Sequence, residues 1–365
     1  MPDAPRPGRR TLLVGVLVLA LVAGAVVVGT LAWQRAHRTS LEQALAVVPA
    51  SSVRVAFTDW SGVRRTLGAD LGDTPSRDAV EAFAAKAYDA DLSAASSVDE
   101  AAGALQQLYG FGPATARWEA YAQSRDGAVM VLAPPDGTDY DVLADNLRSA
   151  GYDAPAKRRT DGGVWVGGID LVSRLDPTLT PELQYVALLP GQGLVVTSDT
   201  EEYLASSVAV ASGDADGLTA KAGVDDLAGR LGTVDNALVW PGDFACEDLA
   251  MSQADDDDQA QADDLVRQAG GVTPLAGFAM GMTADRTLHV VSHFESSDQA
   301  RANLRPRARL AVGEAVGRSG RFSDDFDLTR STAVGSDVLL DLAPKRDDAF
   351  VLSALYDGPV LFATC

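Results

Sequence analysis

The longest apolar run in the chain is Leu12 to Trp33, 22 residues without a charge. At the α-helical rise it would reach ~33 Å, enough to cross a bilayer core of ~30 Å. It predicts a transmembrane helix over residues 12–33, with a short tail, residues 1–11, on one side. Beyond it the apolar runs become shorter. Ser40–Val48 predicts a helix that ends at Pro49, so residues 34–49 read as a juxtamembrane helix and linker. Val53, Val55 and Phe57 then alternate with Arg54 and Ala56, a strand of period two, and Asp59 or Ser61 is placed to cap a short helix. From Asp70 to Gln123 the spacing is helical, with Ala79, Phe83 and Ala87 four apart. A Ser97/Glu100 capping box opens a second helix that Gly110 ends. A third, FGPATARWEAY, would turn Trp118 inward.

Gly127–Pro134 predicts a buried strand, and DYDVLADNLRSAGY an amphipathic helix closed by Gly151. GVWVGGIDLV predicts a strand in which Gly167-Gly168 makes a bulge. LQYVALL and GLVVTS read as a hairpin turning at Pro190-Gly191-Gln192. Ser198 and Glu201 form a second capping box, for a helix to about Ala211. The second half is expected to restate the order: a strand at Asn236–Trp240, a helix from Cys246 to Gln268, strands in FAMGMTA and TLHVVSHF, and helices in SSDQARANL and PRARLAVGEAV divided by Pro306. Strands at DLTRSTAV and DVLLDLAP follow. YVALLPGQGLVVTS and VLLDLAPKRDDAFVLS can be laid side by side as corresponding hairpins. The fold class expected is therefore α+β: an antiparallel sheet packed by helices, as two repeated units over 50–217 and 218–365, each with helices on one face. One continuous mixed sheet is the alternative.

Charge assigns the sides of the membrane. Arg6, Arg9 and Arg10 precede the apolar run, and Arg35 and Arg38 follow it. The positive-inside bias, with the run so near residue 1, places the tail in the cytoplasm and the rest outside. A cleaved signal peptide is the rival, but its apolar core is normally shorter, and small pairs such as Ala23 and Ala25 lie inside the run. A lipid-attachment cysteine is absent near the segment. Residues 1–38 carry five Arg and one Asp, net +4, so the chain's −21 leaves −25 for residues 39–365. A field of that sign repels nucleic acid and anionic lipid, so no nucleic-acid partner is expected. The two cysteines, Cys246 and Cys365, predict a disulfide in an exported domain; two separate free thiols are the alternative.

Candidate chemistry is sparse. His289 and His293, four apart in a strand, share a face but sit ~13 Å apart, too far to chelate one metal. No HExxH, CxxC, GxSxG or Walker pattern occurs, and no cofactor is implied. Asp255–Asp258 with Asp263 and Asp264 lacks the alternation, central Gly and terminal Glu of a calcium loop, and reads as a solvated acidic stretch. Between Arg301 and Arg321 lie six arginines against Glu314 alone. In this island Arg301, Arg305, Arg307 and Arg309 form a candidate anion or acidic-partner contact. Arg301, Arg305 and Arg309 share a helical face if Pro306 leaves the helix whole.

VPASSVRVAFTDW, FG…WEAYAQS, QARANL and the ending GPVLFATC resemble uncharacterised single-pass envelope proteins of actinobacteria. The resemblance implies a membrane-anchored extracytoplasmic domain, and it supports the anchor and the disulfide; it transfers no activity and no site residues. The function expected is non-catalytic: a domain held at the plasma membrane by residues 12–33, binding an envelope protein, an envelope polymer or an apolar ligand. The alternatives are a hydrolase using paired carboxylates drawn from Asp59, Asp243 and Glu247, or cation binding by the acidic surface.

Overall fold

The computed structural model describes residues 38–365 except 73, 156–161, 250, 252–253, 319, 347 and 357. The expected tail and transmembrane helix, residues 1–33, lie outside the described residues, and among the described residues no helix is long and apolar enough to cross a membrane. Residues 40–365 form one compact unit.

It opens with α1 (Ser40–Val47), whose Leu41, Ala44 and Leu45 are buried, so this helix belongs to the folded unit. Strand β1 (Arg54–Thr58) follows, then α2 (Trp60–Thr66), α3 (Arg77–Asp89) and α4 (Ala102–Leu108). Next come β2 (Trp118–Gln123), β3 (Ala128–Ala133), α5 (Tyr140–Ala150), β4 (Val164–Val166), α6 (Ile169–Leu175), β5 (Tyr185–Leu189), β6 (Leu194–Ser198) and α7 (Glu201–Ala211). The second half holds α8 (Val224–Leu231), β7 (Asn236–Pro241), α9 (Phe244–Asp248), α10 (Asp256–Ala269), β8 (Gly277–Met282), β9 (Leu288–His293) and α11 (Ser297–Leu310). It ends with α12 (Phe322–Asp325), β10 (Phe326–Val334), β11 (Asp337–Pro344) and α13 (Leu352–Tyr356).

Among the described residues all eleven strands join one sheet in the order β10-β11-β9-β8-β7-β1-β2-β3-β6-β5-β4. Every pairing is antiparallel. The halves 50–217 and 218–365 are thus not separate sheets. They meet where β1 pairs β7, Val55 opposite Val239 and Thr58 opposite Asn236. Outward from that seam the topology runs β1-β2-β3-β6-β5-β4 on one side and β7-β8-β9-β11-β10 on the other, with β4 lacking a counterpart. The hairpin at the same place in this order as β5–β6 is β10–β11. The stretch AFVLS instead leads into α13, so the alignment of YVALLPGQGLVVTS with VLLDLAPKRDDAFVLS was out of step.

Helices cover both faces of the sheet rather than one. Met130 and Leu132 of β3 face a core shared with α3, α5 and α11, while Val129, Val131 and Ala133 face a second core under α1, α7 and α8. Burial on both faces explains why β3 reads as an unbroken apolar run. Strand β8 is divided between the same two layers. Its Phe278, Met280 and Met282 fill the first core, while Gly277 and Gly281 leave room on the other face for Leu227 and Leu231 of α8.

Local expectations change too, and the helix expected from Cys246 to Gln268 is divided into α9 and α10. FGPATARWEAY ends in β2 rather than a helix: Trp118, Ala120 and Ala122 take one face, and Glu119 takes the other. In GVWVGGIDLV the strand stops at Val166, because Gly168 at φ +72° turns the chain into α6. Helix α11 runs through Pro306 without a break.

Candidate functional site

Asp59 follows β1 and caps α2, its Oδ1 accepting the Gly62 amide at 2.8 Å. Asp243 follows β7 and stands at the start of α9, where its side chain makes no capping bond. Because β1 and β7 run antiparallel, their carboxy ends lie at opposite ends of the sheet, and the structure keeps Asp59 and Asp243 apart. Glu247 faces Arg125 at 3.4 Å.

The carboxylate brought to Asp59 is Asp235, just before β7. The Asp59 amide donates to the Asp235 carbonyl at 2.7 Å. Both side chains flank Gly62, where an added Cβ would collide with Asp235 Oδ1 and sit 3.3 Å from Asp59 Cγ. Thr66 Oγ1 donates to Asp235 Oδ2 at 2.7 Å. Asp235 opens onto a groove of about 310 Å³ lined also by Arg65, Thr66, Thr233 and Ala284. Burial pushes its carboxyl above the usual range, the Thr66 bond opposes this, and the Asp59 charge adds to it.

A folded pKa above the unfolded value contributes stability that is complete below the unfolded pKa and lost as pH rises through the folded one. Asp235→Asn removes that loss and keeps an acceptor for Thr66. Its stability relative to wild type is expected to rise as pH climbs from about 4 through the folded value. Parallel pH profiles of the two denaturation midpoints would count against the assignment.

Two other acids are buried outright. Glu119, 1% exposed, points into the first core. One oxygen accepts Trp60 Nε1 and Ser96 Oγ, each at 2.9 Å; the other accepts the Ser97 amide at 2.7 Å and Ser97 Oγ at 2.9 Å. The Ser97 of the expected capping box therefore serves Glu119, and α4 begins five residues later. Burial pushes the Glu119 carboxyl up, against the pull of these donors. Asp91, also 1% exposed, accepts the Val351 and Leu352 amides at 2.8 Å, the Ser353 amide at 3.1 Å and Ser353 Oγ.

The histidines form two parallel rows. His289 Nδ1 meets Asp341 Oδ1 at 2.7 Å, and Arg330 Nε meets the other Asp341 oxygen at 2.8 Å. His293 Nδ1 meets Asp337 Oδ1 at 2.7 Å, and Arg230 Nε meets its other oxygen at 2.9 Å. The β9–β11 register sets both pairs on one face. Burial alone would raise the Asp337 carboxyl, but the His293 and Arg230 bonds hold it below its ordinary range. Among the described residues no group of three His, Cys, Asp or Glu is placed to hold a metal. The acidic tract lies at the amino end of α10, where Asp255 caps the Asp258 amide at 2.9 Å and Asp256, Asp257 and Asp258 occupy the first turn. Negative charge is favourable there, against the helix dipole.

The four candidate arginines divide. Arg301, Arg305 and Arg309 are exposed on the unbroken α11. Arg301 pairs with Asp298, and Arg309 donates to the Ala269 carbonyl at 3.2 Å. Arg307 is not a surface contact: with Asn303, Pro306 and Leu310 it makes the buried side of the helix. It donates to the carbonyls of Phe362 and Thr273, both at 2.8 Å, with its guanidinium 5.2 Å from the Phe294 ring. Burial pushes it down to about 9. Arg318 likewise binds the carbonyls of Ala354, Gly358 and Pro359. Cys246 and Cys365 form a disulfide with a Cα separation of 5.7 Å. The carboxy-terminal segment is thus held by two arginines and a covalent bond. Sequence reasoning missed Glu119, Asp91 and Asp235, whose partners are all distant in the chain.

The fold is an antiparallel sheet between two helical layers, tied by one disulfide. No family model matches the chain, and no curated protein does. Among solved structures it is similar to TP0453: crystal form I at 8% identity, 86% of this chain, 96% of that one and a TM-score of 0.40. Forms III and IV match at 9% and 10% identity, 86% of this chain, 97% and 96% of the other, and a TM-score of 0.42 each. Likeness at that level is too loose to bear on function.

Proposed function

We propose that this protein is a non-catalytic extracytoplasmic domain, tethered to the plasma membrane by residues 12–33, that binds a partner protein of the cell envelope. It would belong with the single-pass actinobacterial envelope proteins its sequence resembles. The observation that carries the non-catalytic reading is the use of buried charge. Glu119 and Asp91 each accept four hydrogen bonds from the fold, and Arg307 is directed at two backbone carbonyls. Groups saturated in this way hold segments together; a general acid or base needs a site that substrate can reach. The disulfide supports an oxidising compartment. The grooves at the surface are open troughs, of about 500 Å³ beside Arg64 and Asp136 and about 310 Å³ beside Asp235, which favours a partner surface over an enclosed apolar ligand. We also infer that the two halves descend from one duplicated unit, on the strength of the matching strand orders about the β1–β7 seam.

The test is chemical crosslinking of intact producing cells, followed by recovery of the full chain from their membranes. A discrete crosslinked species is expected, with the domain digested by protease added outside. A chain found in the soluble fraction, or protected from that protease, would sink the tethered reading; monomer alone across crosslinker lengths would sink the partner. The Asp59–Asp235 pair favours a second reading, a hydrolase with paired carboxylates. It is weaker because Asp59 is already engaged as a helix cap.

A further inference from the structure

Among the described residues five large apolar side chains are markedly exposed, and the two aromatic ones lie together. Tyr88 is 57% exposed and Phe350 40%, with ring centroids 5.5 Å apart. Buried bonds hold the pair in place. Asp91, just past α3 at φ +58°, accepts the backbone amides of residues 351–353, which fixes the segment carrying Phe350 against the end of α3. Exposed aromatic surface held rigid in advance is what association favours, because little side-chain freedom remains to be lost.

Tyr88 also lines a trough of about 370 Å³, together with Ala84, Ala85, Glu81, Asp99 and Glu100. Asp89 lines it as well. Glu81 is bonded to Arg77 at 2.6 Å, and Asp99 accepts Ser93 Oγ at 3.1 Å and the Glu100 amide at 2.9 Å. Asp89 and Glu100 make no ion pair among the described residues. Burial pushes the Asp99 carboxyl up, so a cation arriving nearby would relieve it. Glu81 and Asp89 are spread over two turns of α3, roughly 12 Å along its axis, and Asp99 and Glu100 come from the segment before α4. One small cation would satisfy one of them; a run of lysine or arginine would satisfy several and lay its side chains over the rings.

We propose that this trough docks a basic segment of a partner polypeptide, its cationic side chains stacked on Tyr88 and Phe350 and set against Asp89 and Glu100. The proposal deepens the partner-binding reading and rests on it. The probe is a fluorescent octalysine peptide, titrated by anisotropy against the full-length chain in neutral detergent. Tyr88→Ala and Phe350→Ala leave the net charge unchanged and are each expected to weaken binding roughly tenfold. Val142→Ala, which removes exposed apolar surface on α5, should bind as wild type. Glu100→Gln gives a second, independent loss at an exposed position. Equal affinity for wild type, Tyr88→Ala and Phe350→Ala would overturn the trough, since the peptide would then be held only by the diffuse acidic field. Absence of binding to wild type at low salt would overturn it too. Neither result touches the partner-binding reading, which fails only if crosslinking yields monomer alone.

Discussion

Glu119→Ala is expected to destabilise the domain by about 3–5 kcal/mol, measured as a fall in the denaturation midpoint. The cost has two sources. The Trp60 indole N–H and the Ser97 amide are obligate donors, and both lose their acceptor, the indole in the buried core. The deletion also leaves a void between β2, α2 and the 92–101 loop, which surrounding groups fill only in part. The two serine hydroxyls can rotate to other partners and matter less. Glu119→Gln separates the terms. It preserves volume, but its amide nitrogen must face either the indole or the Ser97 amide, donor against donor, for about 1–3 kcal/mol. The pH dependence carries a sign. Because burial raises the folded pKa, the stability Glu119 contributes is complete below about pH 4 and declines as pH rises through that folded value. The gap between wild type and Glu119→Ala should therefore be wider at pH 4 than at pH 8. A gap below 1 kcal/mol, or one that widens with pH, would show that the carboxylate is not the joint described.

The same residue explains where sequence reading succeeds and stops. Val55 and Phe57 announce β1 because their alternation coincides with a real difference between two packed faces. Gly151 ends α5 in the left-handed conformation, as a terminator should. In β2 a buried glutamate occupies an inward position, so the alternation Trp118, Ala120, Ala122 looks broken and the segment passes for a helix. The arginines of α11 show the converse. Arg305 and Arg307 are the same residue type two apart, and only the neighbours Asn303, Pro306 and Leu310 reveal which one turns inward.

Pairings across the chain were the least legible. The β1–β7 seam joins residues more than 170 apart, and neither strand carries a mark of its partner. Asp235 reaches Asp59 only through that seam, so the adjacent acids could not be inferred from either half alone. The two-sided burial of the sheet had a visible cue in the apolar runs of β3 and β6. Such runs are compatible with a buried helix as well, and a period of two is lost when both faces are dry.

Removing the disulfide, as Cys246→Ser with Cys365→Ser, is expected to lower stability by about 4–5 kcal/mol on the chain-entropy account. The bond spans 119 residues, so reduction frees a long loop in the unfolded chain. How much of that appears depends on whether the native carboxy terminus stays docked without it. Arg307 holds the Phe362 carbonyl, Arg318 holds those of Ala354, Gly358 and Pro359, and the Val360 amide donates to the Leu249 carbonyl at 2.9 Å. These contacts are independent of sulfur and leave the folded state almost unchanged, so the loss acts through the unfolded ensemble. Hydrogen exchange at the Val360 amide distinguishes the cases. If the arginines hold the segment, its protection falls only as far as global stability does. Should Val360 exchange by local opening while the midpoint hardly moves, the segment was held by the bond, and the buried Arg307 would be secondary to it.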